Sequence, residues 1–130
     1  MKTLQPPGWP RPKGYANGVS ARGRMIFTAG VVGWDEQERF AASDLVGQLR
    51  QVLLNTNAIL REDGAGPEHV VRMTWYVTDR GDYVAHAREI GAVYRELMGK
   101  HFPAMAVVEV AGLVEPEARI EIETTAVVPE

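Results

Sequence analysis

The chain has 130 residues, 45% hydrophobic and 24% charged, with a formal net charge of −3; that balance fits one globular domain and excludes the disordered and membrane-spanning classes. Having no cysteine, it has no disulfide, thiolate nucleophile, or cysteine-held zinc or iron–sulfur centre. The acidic balance speaks against nucleic acid as a partner, and the absence of a long apolar run or an apolar leader speaks against a membrane and makes the cytoplasm the expected location.

Residues 1–14 contain Pro6, Pro7, Pro10 and Pro12. They read as an arm that either lies over a neighbouring surface, with Trp9 to pin it, or stays mobile. Residues 15–130 then form a single domain. Tyr15–Ala21 and Arg24–Ala29 read as two strands of a hairpin turning at Arg22-Gly23. From Asp44 to Asp63, Leu45, Leu49, Val52, Leu53, Thr56, Ile59 and Leu60 recur at helical spacing, with Ser43 or Asp44 as N-cap and Gly64 as the stop. His69–Thr78 is a strand whose alternation puts Val71, Met73, Trp75 and Val77 on the core face. A second helix is expected over Asp82–Met98, capped by Asp79 or Asp82, with Tyr83, Ala87, Ile90, Tyr94 and Leu97 on one side. Strands Ala104–Ala111 and Ala118–Val128 close the chain.

The order β-β-α-β-α-β-β implies an α+β fold, one mostly antiparallel sheet with both helices on one face. Alternation in the last strand sends Ile120, Ile122 and Thr124 to one side and Glu121, Glu123 and Thr125 to the other. The preceding strand, with Met105, Val107 and Glu109 opposite Ala104, Ala106, Val108 and Val110, is largely apolar on both faces, and self-association would cover the second.

Several chemistries find no support. His69, His86 and His101 have no paired metal-ligand spacing, so no metal site is expected. Ser20 and Ser43 lack a G-x-S-x-G context, and GRMIFTAGVVGW holds no G-x-G-x-x-G. Gly30 either lets a ligand approach backbone N–H groups or simply ends a strand.

The segments FTAG, HFPAMAVVEVAGL and ARIEIETTAV resemble those of the reactive-intermediate deaminase (RidA/YjgF-like) family across nearly all of the chain after the arm. The resemblance implies a chorismate-mutase-like homotrimer, its sheets closed around a threefold axis, with small-molecule clefts between subunits. It implies cleft residues Tyr15, the Gly30–Val31 backbone, Met105, Val107 and Glu121, with no cofactor and no metal. Glu121 would position water to hydrolyse an enamine or imine. Met105 stands where the family carries an arginine that grips a substrate carboxylate. Losing such a charge-assisted bond, about 1.5 to 3 kcal/mol, weakens a small 2-imino acid about 10- to 100-fold. Methionine offers an apolar wall instead; Trp34 either adds an aromatic one or packs locally. Arg72 or Arg119 of another chain is a candidate replacement cation. Two readings stay open: an enamine/imine deaminase, and a trimeric ligand-binding or regulatory protein whose Glu121 and Glu123 satisfy interface hydrogen bonds.

Overall fold

A computed structural model describes residues 1–130. In chain order its elements are β1 (Lys2–Thr3), β2 (Val19–Ser20), β3 (Arg24–Phe27), β4 (Val31–Val32), α1 (Leu45–Arg61), a 3-10 turn (Pro67–His69), β5 (Val70–Val77), α2 (Arg80–Ala85), α3 (Ala87–Met98), β6 (Ala104–Glu109) and β7 (Ile120–Val128). The main sheet runs β3-β7-β5-β6, with β4 pairing β7 as well. Only β5 and β6 are parallel. The helices cover one face, and no helix is long and apolar enough to cross a membrane.

The expected hairpin does not form. β2 pairs with β1, and β3 pairs with β7 in the register Arg24↔Val128 to Phe27↔Thr125. Lys2 and Thr3 precede the prolines and keep their N–H groups, so the arm supplies the partner that β2 takes. Within the single chain Trp9 is 60% exposed, and Leu4 packs on Gly18. The Ala16 N–H donates to the Pro103 carbonyl at 2.9 Å, which sets Tyr15 beside the start of β6.

Helix α1 starts where the Asp44 carboxylate accepts the Gly47 N–H at 3.0 Å, and Gly64 beyond its end has φ +72°, the left-handed conformation glycine adopts freely. Leu45, Leu49, Val52, Leu53 and Leu60 are buried, each contributing about 1.5 to 3 kcal/mol by leaving water. Ile59, expected in that stripe, is outside. The buried face rotates from Gln48 early in the helix to Asn57 late, and Ile59 falls on the side left behind. Gln48 is fully buried and fully satisfied: Nε2 donates to the Ala42 and Glu117 carbonyls, and Oε1 accepts the Arg119 N–H at 2.7 Å.

A β-bulge between Val70 and Arg72 shifts the phase of β5, so Val70 rather than Val71 joins Met73, Trp75 and Val77 in the core. The expected second helix is broken at His86 into α2 and α3, with Asp79 capping the first through the Asp82 N–H. On β7, Ile120, Ile122 and Thr124 are buried against the helices. Glu121, Glu123 and Thr125 face the open side beside their register partners Tyr76, Thr74 and Arg72. Phe27 extends this open face and is 67% exposed.

Candidate functional site

The sequence-named residues fall into two groups on opposite faces of the sheet. The first is built at the interruption between β3 and β4, both of which pair with β7. There the Thr28 hydroxyl accepts the Thr124 N–H at 3.0 Å, replacing a ladder carbonyl. The backbone is thereby free to leave β7 at Ala29–Gly30 and rejoin it at Val31. Gly30 is exposed, and its N–H has no hydrogen-bond partner. A Cβ at Gly30 would overlap the Glu121 carboxylate, coming within 2.8 Å of Cδ, so only glycine lets backbone and carboxylate sit this close. Val31 contributes backbone alone, because its side chain is in the core.

Glu121 and Glu123 are not equivalent. The Tyr76 hydroxyl donates to Glu123 Oε1 at 2.6 Å, and that bond raises the Tyr76 pKa. Glu121 makes no side-chain hydrogen bond or ion pair and is only partly exposed. A free carboxylate beside an unpaired backbone N–H can accept a proton from water while the N–H holds a polar substrate atom.

The second group lines a cavity of about 630 Å³ between the helix side of β6, helix α3 and residues 13–15. Tyr15, Met105 and Val107 are in its wall. Met105 is the register partner of the buried Met73, so it points away from the face that carries Glu121. Trp34 lies outside this cavity, packing on Phe40 with ring centroids 5.9 Å apart. Arg72 projects from the open face, and Arg119 Nε donates to the Ser43 carbonyl. Instead, Lys13 and Arg95 are the cations in the cavity wall, and no carboxylate accompanies them.

The sequence reading missed Lys13, Arg95 and the aromatic lining of Trp75, Tyr83, Tyr94 and Phe102. The signal was present in α3, where Ala87, Ile90, Gly91, Tyr94 and Arg95 share one face at helical spacing. Two small residues and a cation in an otherwise apolar stripe mark a face that is not simply core. The three histidines have local roles: His69 Nδ1 accepts the Gly66 N–H, His86 bonds Asp82, and His101 bonds the Val70 carbonyl.

The family described as Endoribonuclease L-PSP matches residues 10–128. The RutC family protein slr0709 of Synechocystis is 35% identical, covering 99% of this chain and 98% of that protein. The chain is a member of the Rid (RutC/YjgF) family. Among solved structures, the Rid-family protein YyfB of Yersinia pestis superposes with a TM-score of 0.86 at 32% identity, covering 98% of each chain. Escherichia coli TdcF with bound serine superposes at 0.71 and 28% identity, covering 98% of this chain and 99% of that one. The TdcF sequence from strain K12, whose name carries the words reactive intermediate deaminase, is 31% identical over 98% of this chain and 95% of its own length. The mixed sheet with helices on one face is thus the Rid fold.

Proposed function

We propose that this Rid-family protein binds a small carbonyl, enamine or imine metabolite between subunits of a homotrimer and hydrolyses the carbon–nitrogen bond of the enamine or imine. The observation that carries this reading is the placement of the two residue groups on opposite sheet faces of one chain. A ligand that touches both must bridge two copies. The exposed apolar residues of the open face, Met25, Phe27 and Val108, supply the surface for association. The bound serine of TdcF, a structural relative, fits a ligand of amino-acid size.

In the proposed reaction Glu121 takes a proton from water as its oxygen attacks the imine carbon. Glu121 passes that proton to the nitrogen to give a carbinolamine, whose hydroxyl proton then moves to the amine as the carbon–nitrogen bond breaks, and carbonyl and ammonia leave. The Gly30 N–H would steady the polar end of the substrate. Glu121→Gln should lower turnover about 100-fold or more, leaving melting temperature and sedimentation unchanged, since the amide keeps the shape but is no base. Full turnover in that variant would refute the water-positioning role.

The second reading, a trimeric ligand-binding or regulatory protein, draws on the Tyr76–Glu123 bond, which gives one of the paired glutamates a structural role. A wild-type protein that binds imines and carbonyls yet turns none over would favour it.

A further inference from the structure

We infer that the cavity beneath α3 selects a monoanionic ligand with a flat, bulky apolar body, its carboxylate held by Arg95. This rests on the proposed ligand-binding reading and names the substrate class of the same site. The first line of argument is charge. In a chain of net charge −3, a wall that contains Lys13 and Arg95 and no Asp or Glu is locally cationic. Neither side chain makes a hydrogen bond or an ion pair within the chain, whereas Arg50 is engaged bidentately by Glu96 at 2.7 and 2.9 Å on another face of the helices. The Arg95 fork is therefore available to a carboxylate that Met105 cannot hold.

The second line is shape. Tyr94 stacks on Phe102, the rings 6.0 Å apart and 12° from parallel, and Trp75 lies against both Tyr83 and Tyr94. Four aromatic residues thus form a continuous wall that favours another ring over an aliphatic acid of three carbons. The volume, about 630 Å³, is several times what such a small acid fills and lies in the range of drug-sized ligand sites. Trp75, 2% exposed, has an Nε1–H with no hydrogen-bond partner, an unpaired donor in the same wall.

The third line is an omission. Gly91 sits in the middle of α3, where alanine would be the better helix former. A Cβ there meets nothing within 4 Å, so no protein atom requires the glycine. With Ala87 one turn earlier on the same face, it leaves the space open.

The test is calorimetric titration of the intact protein with phenylpyruvate, pyruvate and the neutral phenylacetone. Phenylpyruvate should bind at least about tenfold more tightly than either of the others. Arg95→Gln should weaken phenylpyruvate about 10- to 100-fold and leave phenylacetone unchanged, with Arg95→Lys intermediate. Gly91→Leu, whose Cβ meets no protein atom within 4 Å and whose side chain takes up space in the cavity, should abolish phenylpyruvate binding while leaving the melting temperature at or above that of the wild type. Pyruvate binding as tightly as phenylpyruvate, or an Arg95→Gln variant with unchanged affinity, would overturn the inference. Neither outcome touches the proposed hydrolysis, which is read separately from turnover in Glu121→Gln.

Discussion

Met105 shares its wall with Lys13 and Arg95, which changes what an arginine would do there. Met105→Arg would add a third, partly buried cation to a lining that has no carboxylate, so the ligand-free variant should melt at least about 3 °C lower. A bound carboxylate would neutralise part of that charge and recover stability in proportion to its affinity. On freshly generated 2-iminopropionate, kcat/KM should rise about 10- to 100-fold, mainly through KM. Melting curves with and without pyruvate, beside the kinetics, check both halves. A stable variant with no kinetic gain would mean that the ligand's carboxylate never reaches position 105. The same scale separates Glu121 from Glu123. Alternation places both on the open face, but only the Tyr76 hydroxyl distinguishes the occupied carboxylate from the free one, and that residue comes from another strand.

At the scale of elements, α1 and β7 were legible because their periods and caps are local: Asp44, Gly64 and the alternating Ile120, Ile122 and Thr124 act where the sequence says they do. The misreadings were of pairing and phase. Nothing within Val19–Ser20 says that its partner is Lys2–Thr3, and nothing in HVVRMTWYVT marks the bulge that moves Val70 into the core. The helix break at His86 was likewise invisible to periodicity, yet it has a chemical consequence. His86 Nδ1 lies 2.9 Å from the Asp82 carbonyl and 2.9 Å from its carboxylate, and this pairing raises the imidazole pKa above 6.5. A raised folded-state pKa gives stability that is fully present below the unfolded value and is lost as pH rises through the folded one. The α2–α3 junction should therefore be firmer at pH 6 than at pH 8, more so at low salt because the pair is exposed. An NMR titration should place His86 above 6.5. Asp82→Asn should lower it only in part, since the backbone carbonyl is the larger cause and remains. An unshifted His86 in the wild type would refute the pairing in solution.

Across the whole molecule, a site divided between opposite faces of one sheet predicts a specific behaviour of mixed assemblies. Sedimentation equilibrium should first give about three times the 14.3 kDa chain mass. In such a trimer each cleft would take its cavity from one chain and its Gly30–Glu121 pair from the next. Gly91→Leu damages only the first half and Glu121→Gln only the second, so each homotrimer should be inactive on an imine of the preferred class. When the two variants are co-expressed in equal amounts and assemble at random, a given cleft joins an intact cavity to an intact glutamate about one time in four. The mixture should then recover about a quarter of wild-type turnover, although each parent alone is nearly inactive. Differently tagged chains allow mixed trimers to be purified and their composition confirmed before assay. Verified mixed trimers that stay inactive would show that the two halves never meet across an interface, and the shared-site reading would fall while the Rid fold and the Arg95 cavity stood.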